Sequence, residues 1–359
     1  MRDKTFLIMA GGTGGHVFPA LAVAHSLVGR HDKVAWLGSK GGMEEGIVKK
    51  ANIPFFGIKV KGVRGKGRLS QLFAPFKIIS AVFQAFTVLR KVQPDAVLGM
   101  GGFASGPGGL AARMLGIPLV IHEQNAVAGM TNKILAKFAT TVMTAFPQPF
   151  SNKVDCKMVG NPLRSDIARL YYERDITKKD QSVNLLILGG SLGAQSLNDV
   201  LPQALGLLDE NLRPFIWHQT GKNKSEAVNR AYSKFKIEVN VSEFIEDMAQ
   251  AYKWADFVIC RAGALTISEL CVAGLGAILI PYPHAVDDHQ AKNANFLVEG
   301  GAAWLLAQKD LTPSVLAEVL QPLLAKRERM NILSQAAYKL AQVDATESVA
   351  NECRRVTYA

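Results

Sequence analysis

Short apolar runs separated by longer amphipathic stretches recur along the whole chain. The runs stand at residues 6–9, 34–37, 96–99, 119–122, 185–188, 215–219, 257–260 and 277–281. Unbroken apolar runs of this length mark strands buried on both faces, and the stretches between them suit helices. The pattern predicts an α/β fold of parallel sheets covered by helices on both sides. At 359 residues the chain exceeds what one core usually serves, so two domains are expected. A faint internal echo agrees: "AGGTGG" at 10–15 and "LGGSLG" at 188–193 lie 178 residues apart, each after an apolar run. The Asn-Pro break in "VGNPLR" (159–164) marks the linker, giving domains at 1–161 and 162–340. Residues 341–359 form a last helix, in a position to pack back on the first domain.

Charge changes this picture. The net charge is +11, yet residues 1–160 hold 20 basic against 7 acidic side chains, and residues 161–359 hold 21 against 23. Residues 46–94 carry ten basic groups and no acidic one, so the first domain alone is expected to meet an anionic partner. Inside that segment, Leu72, Phe76, Ile79, Phe83 and Phe86 fall on one helical face, flanked by Arg64, Lys66, Arg68, Lys77, Arg90 and Lys91. The longest uncharged run, 78–89, is too short to span a bilayer, so the expectation is a helix lying on an anionic phospholipid surface. A nucleic acid would also suit a basic half. However, Phe73, Phe76, Phe83 and Phe86 recur at helical steps and do not read as a stacking platform, so no nucleic-acid partner is expected. The cysteines form no ligand pattern and read as buried free thiols of a reducing compartment. The N-terminus lacks a signal-peptide pattern, and a cytoplasmic protein is expected.

Candidate chemistry sits in the glycine-rich stretches. "FLIMAGGTGGHVFPA" (6–20) ends a strand in a turn whose backbone N–H groups and helix start could hold an anion. A dinucleotide fingerprint fails, because Val17 stands at the third glycine position and the second strand ends in Gly38–Ser39 with no acid for a ribose. His16 adds a titratable imidazole that a phosphate turn does not need, though it could merely cap its helix. "GMGGFASGPGG" (99–109) suggests close backbone approach to a ligand, and "IHEQNAVAG" (121–129) ends a strand in polar residues that could instead satisfy one another. In "CRAGALTISELCVAG" (260–274) a helix from about Leu265 offers N–H groups to a diphosphate, with Glu269 in its first turn for a ribose diol. Thr266-x-x-Glu269 is equally a capping box that needs no ligand. "DDHQAKNANF" (287–296) would lie at the carboxyl end of a strand. Asp287, Asp288 and His289 lack further metal ligands at fixed spacing, and no Asp-x-Asp pair occurs, so neither a metal nor a cofactor is expected.

Taken together, "GGTGGHVFPALAVA", "GVRGKG", "GGFASGPGG", "HEQN", "GNPLR", "GGSLGA", "HQTG", "RAGALTISEL" and "DDHQAKNA" resemble the MurG family, in family order over residues 6–300. These are the UDP-N-acetylglucosamine–N-acetylmuramyl-(pentapeptide) pyrophosphoryl-undecaprenol N-acetylglucosamine transferases. The resemblance implies a GT-B-type fold, two Rossmann-like parallel-sheet domains facing each other across a cleft. It implies transfer of N-acetylglucosamine from UDP-N-acetylglucosamine to the C4 hydroxyl of lipid I (undecaprenyl-pyrophosphoryl-muramyl-pentapeptide), with inversion, giving lipid II for peptidoglycan synthesis. An epimerase or hydrolase acting on a UDP-sugar is the alternative. The first domain would face acceptor and membrane at the cytoplasmic face of the inner membrane, and the second would bind the UDP-sugar. Donor contacts carried onto matching positions are Thr13, Gly14, Gly15, Asn125, Arg164, Ser191, Ile245 (through its backbone), Ala264, Leu265, Thr266, Ile267, Ser268, Glu269 and Gln290. Leu192 stands where many members have Gln, which removes a side-chain phosphate contact. The acceptor hydroxyl needs a base, and an imidazole with an ordinary pKa of ~6.5 suits the task, so His16 is the first candidate and Glu123 the reserve.

Overall fold

The computed structural model describes residues 3–60, 74–150, 154–175, 182–190, 192–285 and 288–358. The chain divides into two units, Met1–Arg164 with Val343–Ala359, and Ser165–Gln342.

The first unit holds a seven-stranded parallel sheet. Its strands are β1 (Thr5–Met9), β2 (Lys33–Ser39), β3 (Phe55–Ile58), β4 (Ala96–Gly99), β5 (Leu119–Glu123), β6 (Thr141–Thr144) and β7 (Lys157–Met158), in the order β3-β2-β1-β4-β5-β6-β7. Helices α1 (Gly14–Gly29), α2 (Met43–Lys50), α3 (Ala74–Val92), α4 (Ser105–Met114) and α5 (Met130–Leu135) connect them. Alternate side chains of β1 enter different cores, Phe6 and Ile8 on one face, Leu7 and Met9 on the other. This two-sided burial is why the strand reads as an unbroken apolar run.

The second unit repeats the plan with β8 (Asn184–Leu188), β9 (Phe215–Gln219), β10 (Asn240–Ser242), β11 (Phe257–Cys260), β12 (Gly276–Leu279) and β13 (Ala303–Leu305), in the order β10-β9-β8-β11-β12-β13. Its helices include α6 (Ser165–Ala168), α7 (Leu170–Glu173), α8 (Gln195–Gly206), α9 (Ser225–Ser233), α10 (Met248–Trp254), α11 (Ala264–Ala273), α12 (His289–Glu299), α13 (Pro313–Ala325) and α14 (Arg327–Lys339). Counted from its own first strand, each sheet runs 3-2-1-4-5-6, the first adding a seventh at the end, which puts a reversal of strand order beside β1 and beside β8. Ligands of open α/β sheets bind at that reversal, outside the carboxyl ends of the strands. Both glycine turns of the internal echo stand there.

Strands β3, β6, β7, β10 and β13 lie outside the eight runs read from the sequence. They are two to four residues long and, β6 apart, are edge strands, and in all five exposed or half-exposed positions interrupt the two-sided burial that makes an unbroken apolar run. The face expected on the basic helix is divided. On α3, Ala81, Ala85 and Leu89 are buried, while Phe76, Ile79 and Phe83 are 71%, 66% and 69% exposed. Phe86 leaves their stripe, turning half-inward against the core with the Arg90 guanidinium 5.0 Å from its ring. The helix docks through small residues, a stripe that alanine's weak hydropathy hides. Arg64, Lys66, Arg68 and Leu72 lie outside the described residues. Among the described residues no helix is long and apolar enough to cross a membrane.

The last helix, α15 (Ala345–Arg355), completes the first unit. Val349, Ala350, Cys353 and Val356 join the core of Phe6, Ile8 and α1. Around them Ser26 donates to Glu347, Arg30 to Asn351 at 2.7 Å, and Arg354 pairs with the buried Asp32 at 2.6 Å. Thr346 Oγ1 accepts from the Leu163 N–H and donates to the Leu163 carbonyl. Val349→Asp, which buries an unpaired carboxylate, should therefore destabilise the first unit beyond the ordinary 0.5–3 kcal/mol of point substitutions. Hydrogen exchange checks this. Amides of β1 and β2 should lose protection while those of β8 and β11 keep it.

Candidate active site

In the first unit the protein itself takes up several backbone groups where β1 passes into α1. The Met9 carbonyl accepts from Met100 N–H and Ser105 Oγ, and the Ala10 carbonyl from Trp36 Nε1. The Gly11 carbonyl lies 3.2 Å from His16 Nδ1, and the Gly12 N–H donates to Glu44 Oε2 at 3.3 Å. Thr13, the N-cap of α1, accepts from the His16 and Val17 N–H groups. The turn thus holds an anion of its own, the fully buried Glu44 carboxylate, where the sequence suggested a phosphate. Thr13 and Gly15 are exposed and Gly14 half-exposed, so these three remain open to a ligand.

The second glycine loop closes over the first. Gly101 and Gly102 have φ of 95° and 88°, a region that favours glycine. A Cβ on Gly102 would strike the Gly11 backbone, and one on Gly101 would stand 2.9–3.0 Å from His16 Cδ2 and Nε2. Gly108 and Gly109 admit Met9 and Leu135 of the core. At these four positions, the close approach read as serving a ligand is approach of protein to protein. His16 is half-buried, with its Nε2 edge against Gly101 and its Nδ1 also 3.3 Å from Thr13 Oγ1.

Glu123, the reserve base, is 2% exposed at the end of β5 and organises the following turn. It accepts from Asn125 N–H at 3.0 Å, Asn125 Nδ2 at 3.3 Å, Gly129 N–H at 3.0 Å and Asn132 Nδ2 at 2.9 Å. Four donors fill the acceptor capacity of a carboxylate, so in this structure Glu123 holds the turn together. Beside it, burial pushes the His122 imidazole down to about 4, so the ring is neutral at pH 7, and Nε2 donates to the Gly160 carbonyl at 2.8 Å. Asn125 is half-buried, and Arg164 is the last residue before the second unit.

In the second unit the glycine turns again meet backbone to backbone. Gly193 (φ 72°) and Gly221 (φ 86°) leave no room for a Cβ on either. This ties the turn after β8 to "HQTG" after β9. Lys224 Nζ donates to the Leu192 carbonyl at 3.1 Å, and the Leu192 side chain is exposed. Ser191 lies outside the described residues.

After β11 the chain turns at Gly263, the N-cap of α11, whose side makes no cap bond. The helix begins at Ala264, so Thr266 is its third residue and Glu269 stands in the second turn. The capping-box reading of Thr266 and Glu269 is thereby overturned, because a capping box needs its Ser or Thr at the N-cap. Glu269 accepts instead from Tyr252 Oη of α10 at 2.8 Å. Leu265, Thr266, Ser268 and Glu269 are half-exposed, while Ala264 and Ile267 face the core. Ile245 buries its side chain in the loop between β10 and α10. Gln290 accepts from the Tyr282 N–H at 2.9 Å, tying the loop after β12 to the start of α12.

Three residues that hold this end of the unit have no counterpart among the chemistry read from sequence. Arg261 spans from the Ile280 and Pro281 carbonyls to Ser196 Oγ and Gln308 Oε1 at 2.6 Å. Asn293 Nδ2 reaches the Ala262 carbonyl at 3.3 Å, and Tyr252 fixes Glu269. Arg261 and Asn293 lie inside quoted motifs, which was the only available signal. Among the described residues no group of three His, Cys, Asp or Glu gathers as a metal site.

The chain matches the glycosyltransferase family 28 N-terminal domain over residues 6–144 and the glycosyltransferase family 28 C-terminal domain over residues 184–349. Relatives from Marinobacter nauticus and Cellvibrio japonicus are 52% and 51% identical over 98% and 100% of this chain, and 97% and 100% of theirs. Both are named UDP-N-acetylglucosamine–N-acetylmuramyl-(pentapeptide) pyrophosphoryl-undecaprenol N-acetylglucosamine transferase. The crystal structure of MurG from Acinetobacter baumannii superposes with a TM-score of 0.85 at 43% identity, covering 98% of this chain and 99% of that one. A UDP-N-acetylglucosamine 2-epimerase structure, 13% identical with a TM-score of 0.68, shares the fold alone and lends the epimerase alternative no further support. With half its residues identical over essentially its whole length, the chain belongs to the MurG family of glycosyltransferases.

Proposed function

We propose that this enzyme moves N-acetylglucosamine from UDP-N-acetylglucosamine to the C4 hydroxyl of the muramyl sugar of lipid I, forming lipid II with inversion. The full-length identity to the named transferases carries the choice of substrates. The second unit takes the donor, with the diphosphate at the start of α11 and the ribose on Glu269. A helix start without a side-chain cap presents N–H dipoles where charge develops on the leaving group. In the first unit His16 is the base. The acceptor oxygen attacks the anomeric carbon, its proton passes to Nε2, and UDP departs with the electrons of the broken C1–O bond. The Gly11 carbonyl 3.2 Å from Nδ1 can only accept, so Nδ1 carries the ring proton, which leaves Nε2 as the basic nitrogen.

The enzyme works as a peripheral protein at the cytoplasmic face of the inner membrane. Support comes from α3, where Phe76, Ile79 and Phe83 stand in water although alanines fill the buried side of the same helix. Lys77, Arg90 and Lys91 lie along it. Each cation near an anionic leaflet contributes about 1 kcal/mol, so the stripe and its cations together give reversible docking beside a prenyl-linked acceptor.

His16→Ala should lower kcat by roughly 10²–10⁴ with donor affinity little changed. Steady-state kinetics on folded protein check it, and a near-normal kcat would remove His16 from the mechanism. For Glu269→Ala, titration should show weaker binding of UDP and a reduced preference for UDP over dUDP. The variant also removes the bond that the buried Tyr252 hydroxyl donates to this carboxylate, costing about 0.5–3 kcal/mol of stability. A preference that survives this loss would mean that the carboxylate serves Tyr252 alone. Cosedimentation with anionic vesicles should weaken with salt, and Phe76→Ser with Phe83→Ser and Lys77→Glu should release the protein. Undiminished binding of that triple variant would reject α3 as the docking surface.

A further inference from the structure

Glu44 is a carboxylate with 0% exposure in the first turn of α2, and the chemistry described above does not use it. An acidic side chain in a first helical turn is favourable while exposed, so the helix by itself does not call for its burial. What the buried carboxylate touches is backbone. Oε1 accepts from the Ser39 N–H at 2.8 Å and Oε2 from the Gly12 N–H at 3.3 Å. Glycine at 11 and at 42 lets it lie flat on the turn, since a Cβ at either position would collide with its oxygens.

The Gly12 N–H and the Gly11 C=O are the two ends of one peptide group. The carboxylate sits on the first end and His16 Nδ1 on the second, at 3.2 Å. We propose that Glu44 is a positioning residue for His16 and acts on it through the Gly11–Gly12 peptide. A charged acceptor on an amide N–H polarises the amide and makes its carbonyl a stronger acceptor. A stronger acceptor on Nδ1–H holds the ring in one tautomer and favours the imidazolium that forms when Nε2 takes a proton. Carboxylates bonded directly to a histidine do this in metal sites and catalytic triads. Here one peptide is interposed, so the anion stays fully buried while His16 is only half-buried.

On the elements packed against α1, Lys33 and Lys50 are exposed, Glu352 bonds Arg355 and Thr141, and the remaining charged groups are likewise engaged away from the ring. Glu45 bonds Lys49 and the Gly41 N–H, Glu347 bonds Ser26 and Arg30, and Arg354 bonds Asp32. The loop 100–104 that meets the ring contains no titratable side chain.

This inference rests on His16 being the base, and its test is chosen to be read without turnover. In the full chain labelled with ¹⁵N-histidine, the neutral His16 ring should be the Nδ1–H tautomer. Glu44→Gln should lower its titration midpoint by about half to one pH unit, leaving the exposed His25 unmoved as an internal control. Glu44→Asp, which keeps the charge but cannot span both N–H groups, should fall between the two and serves if the Gln variant does not fold. An Nε2–H tautomer in the parent, or a midpoint unchanged in both variants, overturns the proposal. Kinetics provide a second arm. Glu44→Gln should lower kcat severalfold at constant donor KM, and adding it to His16→Ala should cost nothing more, whereas additive losses would show that Glu44 acts elsewhere. Because the NMR arm ignores catalysis, a failure of His16 as base and a failure of the coupling read out separately.

Discussion

Two backbones that touch where a side chain would ordinarily stand govern both halves of the molecule. In the first unit Gly102 lies on the Gly11 peptide, and in the second Gly193 lies on Gly221. Each contact joins the turns that leave two adjacent strands, β1 with β4 and β8 with β9, at their carboxyl ends. Three of these four glycines hold positive φ, so any other residue would meet backbone strain of about 1–2 kcal/mol as well as the collision. With the turns pressed together, the first turn of α1 and the Nε2 edge of His16 have fixed positions that no flexible loop could give them. Preorganisation at the reacting end of a sheet is thus a property of packing density between main chains.

The electrostatics at the carboxyl ends of the strands differ between the two units. The first turn is neutralised from within, its Gly12 N–H given to the buried Glu44. The start of α11 has no side-chain cap on its N-cap residue. In the proposed mechanism a leaving diphosphate draws on the N–H dipoles of that helix start, whereas an imidazole that accepts a proton gains from a nearby negative charge.

Much of this frame was legible in the residues. Long central strands showed as unbroken apolar runs because both faces are buried, and the glycine turns announced where the strands end. The short strands at the margins, such as Lys157–Met158, left no period to read. Spacing alone could not say whether Thr266 was a cap, since that turns on whether the helix begins one residue after it or, as it does, two residues before. Nor could it tell that the glycines at 101 and 102 answer to His16 and Gly11, contacts made across some 85 to 91 residues of chain. Glu44 was invisible for a related reason. A glutamate at a helix start looks like surface, and only the tertiary position of the first turn buries it. Nine motifs in order overcame these gaps at the level of family, because their joint occurrence does not depend on any one of them being interpreted correctly.

The placement of α15 has a bearing on how the protein comes into being. Val349, Ala350, Cys353 and Val356 complete a core that otherwise belongs to the first part of the chain to leave the ribosome. The second unit is continuous in sequence and can close as soon as its own residues emerge. The first must wait, with the cover for Phe6 and Ile8 still unsynthesised, until residues 349–356 have emerged as well. During that interval the unit synthesised first is the one exposed to aggregation and chaperone capture, so vectorial synthesis reverses the order in which the two halves can mature.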